Sequence, residues 1–137
     1  MWGGLLASSC SEDGKDESNL MFVNLLRQLT RSQARIVKYA CERAQKTVSY
    51  GLIWAPKDSL LLKRQELYDI AGVTDINQLD RELDHLRSLD LIAGGLSLSD
   101  SDVANISPRP LALHLYVRCQ GSRAPPTEFF GLKEVAR

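Results

Sequence analysis

The chain is poor in the residues that anchor most active sites. Of its 137 residues, three are cysteine and two are histidine. Cys10, Cys41 and Cys119 are odd in number, far apart and form no C-x-x-C pair, a distribution that suits reduced, buried thiols better than a disulfide framework or a zinc site. No G-x-S-x-G elbow, phosphate-cradling glycine loop or H-E-x-x-H occurs, which removes the commonest hydrolase, nucleotide-binding and zinc-protease signatures. His85 and His114 fall on expected helices with leucine, arginine or proline one turn away, and His85 reads as part of a charged helix surface. The expectation is a protein that is not an enzyme and has no cofactor and no metal site.

Long hydrophobic runs are also missing. No segment approaches the roughly 18 apolar residues of a membrane helix. The opening MWGGLLASSC ends like a lipoprotein cleavage site but has neither a basic region nor an apolar stretch before it. It is read instead as a helix with Trp2, Leu5, Leu6 and Ser9 on one side, and a chain that starts inside such a segment is expected to be part of a longer protein. No membrane association is expected.

Net charge is absent too, since 17 basic and 17 acidic residues cancel. There is therefore no bulk attraction to nucleic acid or anionic lipid. The zero hides a strong asymmetry, with a net −3 over residues 1–20, +7 over 21–64, −7 over 65–105 and +3 over 106–137. Paired within the fold or between copies, the two central blocks would attract each other.

With 44% apolar residues the chain can bury a core, and the spacing of those residues is helical. NLMFVNLLRQL places Phe22, Leu25, Leu26 and Leu29 on one side. T-R-S-Q at 30–33 has the form of a capping box, so a helix is expected from Arg31, with Val37, Ala40, Cys41 and Ala44 inward. Arg31, Arg35, Lys38, Arg43 and Lys46 lie largely off that stripe and form a candidate basic interaction face. Residues 46–58 are read as a loop with, at most, a short strand. SLLLKRQELYDIAG gives a brief apolar run and a short helix that packs Leu67, Ile70 and Ala71 and ends at Gly72. After the turn GVTD, Asp75 is a candidate cap with Gln78 as its partner, and Ile76, Leu79, Leu83 and Leu86 form the next helical stripe. LIAGGLSLS then switches to glycine and alternation, as a hairpin would.

Two helices joined by a tight turn and followed by a hairpin are the order of a helix-turn-helix with a wing. The fold class expected is mainly α with a small β-hairpin, a winged-helix-like core at about residues 59–106 flanked by further helices, within a single domain over 1–121. In the helix that would enter a DNA groove, however, Arg81 and Arg87 are outnumbered by Asp75, Asp80, Glu82, Asp84 and Asp90. The wing adds Asp100 and Asp102 and no cation. Such a surface would repel the phosphates whose contacts dominate DNA affinity, so Asp80, Glu82 and Asp84 are a candidate acidic interaction face instead. In NISPRPLALHLYVRCQG, Ser107 is a candidate cap and Pro108 a first helical residue, with Leu111, Leu115, Tyr116 and Cys119 inward and Gly121 past the end. Residues 122–137 open with Pro125 and Pro126 and are expected to be an extended tail, with Phe129 and Phe130 as its candidate contact.

Taken together, MWGGLLASSC, MFVNLLRQLTRSQARIV, LDRELDHLRSLDLI and ISPRPLALHLYVRCQG resemble the carboxy-terminal part of the abortive infection alpha family. The matching positions are Trp2, Leu5 and Leu6, then Phe22, Val23, Leu26, Gln28 and Leu29. Leu83, Leu86, Leu89, Leu91, Ile92 and Cys119 follow, so that the resemblance covers nearly all of 1–121. It implies a bacterial cytosolic protein linked to phage defence and brings no catalytic residues with it. The function expected is a non-catalytic interaction, sensing or self-assembly domain with a protein partner or its own copy. The alternative is a DNA-binding winged-helix regulator that uses its basic helix, with nucleic acid the less favoured partner.

Overall fold

Thr30 starts the central helix of the fold in the way its spacing from Gln33 predicts. The Thr30 hydroxyl accepts from the Gln33 amide at 3.2 Å, and Gln33 Oε1 accepts from the Thr30 amide at 2.9 Å. Both halves of the capping box are thus made. The computed structural model describes residues 17–97, 99–100 and 102–133; the helix expected at 1–10 lies outside them. Helix α1 spans Glu17–Arg27 and α2 Arg31–Arg43, followed by strands β1 (Thr47–Ser49), β2 (Leu52–Trp54) and β3 (Leu61–Lys63). Helices α3 (Arg64–Ala71) and α4 (Ile76–Ser88), strand β4 (Val103–Asn105), and helices α5 (Pro110–Cys119) and α6 (Pro126–Phe129) complete the order. The protein is mainly α with small antiparallel β-ladders.

Helix α2 sits at the centre because its inward stripe is small. Ala34, Ile36, Val37, Ala40 and Cys41 are all buried, and α3, α4 and α5 pack against it. The expected inward residues Leu79, Leu83 and Leu86 of α4 and Leu67 of α3 are fully enclosed, joined by Leu91, Ile106, Leu113 and Leu115. Full burial of each such side chain contributes about 1.5–3 kcal/mol. Helix α3 ends as expected at Gly72, which has φ 76°. Asp75 caps α4 by accepting from the Asn77 amide at 3.0 Å, while the return bond expected from Gln78 is not made. The other end of α4 is a Schellman motif. Leu91 N–H reaches the Leu86 carbonyl, Asp90 N–H reaches that of Arg87, and Asp90 takes the left-handed conformation usually given to glycine, φ 61°.

Strand β4 pairs with β3, with Leu62 opposite Ala104. On its other side it meets residues 95–97, where Asn105 N–H donates to Gly95 O and Ser97 N–H to Val103 O. The hairpin expected after α4 is therefore present, with β3 closing its free edge.

Three expectations need correction. Residues 46–58 contain a second antiparallel hairpin, in which Thr47, Val48 and Ser49 face Trp54, Ile53 and Leu52. Its two-residue turn, Tyr50-Gly51, has positive φ at both positions, 54° and 77°, the requirement of the tight turn that matches strand twist. Second, α5 starts at Pro110 rather than Pro108. Ser107 N–H and Oγ–H both donate to Asn105 Oδ1, and Ser107 Oγ accepts from Leu60 N–H. Pro108 bridges Ile92, and Arg109 N–H donates to Leu91 O. That backbone is committed to pairing and cannot begin a helix. Third, the region after Gly121 is not simply extended. It forms α6, which packs on α5 and β2.

Candidate functional site

Arg31, Arg35 and Lys38 lie at intervals of four and three, which at 100° per residue keeps them within about 60° of arc on α2. They border a groove of about 530 Å³ with Leu26, Leu29 and Ala34 as its apolar lining and Thr30 at one end. The ion pairs Arg64–Asp102 and Arg87–Asp84 do not involve them. The rest of the expected basic face is used elsewhere. Arg43 lies over the Tyr39 ring, 5.2 Å from its centroid. Lys46 donates to Ala44 O at 2.9 Å and sits 4.7 Å from the centre of the Phe130 ring. Partial burial pulls the Lys46 ammonium below its ordinary pKa. Of the five cations expected on one face, the structure gathers three.

On the opposite side of Thr30, a polar network ties α2 to α4. Thr30 Oγ1 donates to Glu82 Oε1 at 3.2 Å, Gln33 Nε2 donates to the Glu82 carbonyl at 3.1 Å, and the same nitrogen lies 2.8 Å from His85 Nδ1. Gln33 is 2% exposed and Glu82 7%. This corrects two expectations. Glu82 does not belong to an acidic outer face, because it turns inward to the amino-terminal end of α2, where a carboxylate is favoured. His85 is not merely part of a charged surface, because its ring is half-buried and joined to Gln33. Asp80 and Asp84 remain outside, and Asp84 pairs with Arg87. The acidic face is consequently narrower than expected.

The candidate tail contact is an aromatic cluster on α5. The Tyr116 ring stacks with Phe130 at 6.0 Å and meets Phe129 edge-on at 6.3 Å. Its hydroxyl donates to Glu42 Oε2 at 2.8 Å. Burial, and then this bond to a carboxylate, push the Tyr116 pKa well up. Cys41 and Cys119 are free and buried, and burial raises both thiols far above the usual cysteine range, which makes them poor nucleophiles. The third cysteine, Cys10, lies outside the described residues.

One feature was missed from the sequence. The β1–β2 hairpin buries Val48 and Ile53 and turns Leu52 and Trp54 outward, 70% and 38% exposed, with Tyr50 at its tip 75% exposed. The available signal was a short alternation on either side of a glycine.

Among the described residues no three His, Cys, Asp or Glu side chains gather into a metal-binding group, and no helix is long and apolar enough to cross a membrane. The class of protein thus defined is a mainly helical domain, with a basic groove on its central helix and an apolar hairpin at its edge. The chain belongs to the abortive infection alpha family, whose model matches residues 1–109. The match stops at the residue before α5, so the resemblance drawn through to Cys119 extends past it. No curated protein and no solved structure matches the chain. Family membership ties the protein to abortive infection.

Proposed function

We propose that the chain is a non-catalytic interaction domain of a bacterial cytoplasmic protein, and that it docks a second copy or a protein partner through the outer face of the β1–β2 hairpin. In this reading α2, β3, α3, α4 and the ladder ending at β4 form a winged-helix-like core that has exchanged DNA reading for protein contact. The observation that carries it is the exposure of Tyr50, Leu52 and Trp54 on one short hairpin. Protein interfaces concentrate tyrosine and tryptophan at their energetic centres and exclude charge from them, and neither β-strand of this hairpin holds a charged residue. Family membership supports the abortive-infection setting.

DNA reading by α4 is disfavoured by the same geometry. The helix exposes Asp80 and Asp84 and is flanked by the exposed Asp75 and Asp90, and the wing that follows carries Asp100 and Asp102 with no cation of its own. Phosphates would meet a negative surface.

The test is light scattering of the wild type and a Leu52→Ser, Trp54→Ser double variant over about a hundredfold range of concentration, since assembly follows mass action. The wild type is expected to assemble as concentration rises, and the variant to stay monomeric with an unchanged melting temperature. A wild type that stays monomeric moves the reading to a different protein as partner. A variant that assembles like the wild type refutes the hairpin as the contact.

A further inference from the structure

Three cations crowded on one helical face repel one another unless something answers them. Over the seven residue steps from Arg31 to Lys38 the α2 axis rises about 10 Å. Among the described residues, no carboxylate lines the groove they border. The nearest acid in the hydrogen-bond network, Glu82, is on the α4 side of Thr30 and is enclosed there. Because Glu82 already occupies the favourable position at the amino-terminal end of α2, an anion in the groove has to be held by the three side chains.

The arrangement also restricts the kind of anion. A single carboxylate spans one arginine, whereas cations a helical turn apart suit neighbouring phosphoryl groups, which accept hydrogen bonds from arginine in pairs. Leu26, Leu29 and Ala34 give the groove an apolar wall that a bare inorganic ion would leave unused. The volume, about 530 Å³, falls in the range of small-molecule sites, about 300–1,000 Å³. Arg35 is further placed by α3. Its Nη1 lies so close to Gly72 that an added Cβ would sit 2.9 Å away, which puts the guanidinium at the carboxy-terminal end of α3, where positive charge is favoured.

We infer that the α2 groove binds a small phosphorylated molecule with at least two negative charges and an apolar or aromatic part, the phosphates lying along Arg31, Arg35 and Lys38. This site is separate from the hairpin face and stands whether or not the hairpin docks a partner.

Isothermal titration of the full chain with adenosine triphosphate, inorganic pyrophosphate and adenosine tests it. Saturable binding of adenosine triphosphate at one site per chain is expected, with pyrophosphate weaker and adenosine not bound. An Arg31→Gln, Lys38→Gln variant should weaken binding at least about tenfold, while Arg81→Gln on the exposed side of α4 changes nothing. Both substitutions in the groove are at solvent-accessible positions, and an unchanged melting temperature confirms an intact fold. The inference is overturned if neither phosphate compound binds at millimolar concentration, or if the double variant binds as the wild type does. It is equally overturned if only a single-stranded oligonucleotide binds, with steep salt dependence, since that marks a strand-binding surface. Salt-sensitive self-association abolished by the double variant would also sink it, because the groove would then belong to the acidic face of a second copy.

Discussion

Gln33→Ala should be among the most damaging single polar substitutions in this protein, out of proportion to the size of the side chain. The amide of Gln33 is used at both ends. Oε1 accepts from Thr30 N–H at the start of α2, while Nε2 donates to the Glu82 carbonyl and faces His85 Nδ1 on α4. Loss of the capping contribution costs about 1 kcal/mol. The Glu82 carbonyl keeps its helical bond within α4 but loses its side-chain donor, and the half-buried His85 Nδ1 loses Gln33 as its partner, at a further cost of about 1–3 kcal/mol. The sum is about 3 kcal/mol, or a fall in melting temperature of about 10 °C for a domain of this size. Thr30→Ala should cost about 1 kcal/mol for the cap, and about 1–3 kcal/mol more because the enclosed Glu82 carboxylate loses the hydroxyl that donates to it. Urea unfolding followed by far-ultraviolet circular dichroism measures both, with the midpoint moving and the slope held. A double-mutant cycle with His85→Ala should return a coupling of about 1 kcal/mol. The reasoning is refuted if Gln33→Ala lies within about 0.5 kcal/mol of the wild type, because the buried network would then contribute nothing to joining α2 to α4.

The same network fixes the tautomer of His85: since Gln33 Oε1 must face the Thr30 amide, Nε2 must donate to Nδ1, and nitrogen chemical shifts should report the imidazole proton on His85 Nε2. Tyr50→Asn should leave stability unchanged or raise it by up to about 1 kcal/mol, because asparagine tolerates the left-handed φ of 54° at that turn position better than tyrosine does; a loss beyond about 1 kcal/mol in urea unfolding would contradict the turn assignment. Leu83→Ala, at a position with no exposure, should cost about 2–5 kcal/mol in the same assay, and a cost below about 1 kcal/mol would place α4 outside the core. Burial, and then the nearby Arg118, lower the His114 pKa below its ordinary value of 6.5. Below that value the unfolded chain takes up a proton that the folded chain resists, so stability is lost as pH falls through 6.5 and is fully present above it. In His114→Gln the drop in urea midpoint between about pH 8 and pH 5 should shrink, and an undiminished drop would refute the assignment.

What could be read from the sequence was the part in which a residue's neighbours are its own near neighbours in the chain. The Thr30 box needs only residues three apart, Gly72 and Gly121 end helices by their own backbone freedom, and the α4 stripe follows from period alone. The failures share the opposite character. Glu82 lies three residues after Leu79 and beside Leu83, on the shoulder of the stripe, where period alone does not decide burial. It goes in because the amino-terminal end of α2 and the Thr30 hydroxyl, 52 positions away in sequence, supply its partner. Ser107-Pro108 has the local form of a helix start, but Ile92 and Leu91 claim that backbone first. The β1–β2 hairpin escaped notice because its strands are three residues each and its turn is Tyr-Gly rather than the more diagnostic Asn-Gly.

These long-range partners also decide how the candidate site is connected. Three sides of α2 have three different uses: Val37, Ala40 and Cys41 enter the core, Gln33 faces α4, and Arg31, Arg35 and Lys38 border the groove. Thr30 belongs to two of them. It lines the end of the groove and donates to Glu82, while Arg35 touches the last turn of α3 at Gly72. A ligand that draws Arg31 and Arg35 together therefore acts on the start of α2, on the Glu82 contact with α4 and on the end of α3 at once. Those are the contacts that set how α3 and α4 sit against α2. The hairpin packs on α5 and α6 instead. It follows that substitutions at Leu52 and Trp54 should leave phosphate binding intact, while substitutions at Thr30 should alter it even though the charge of the groove is unchanged.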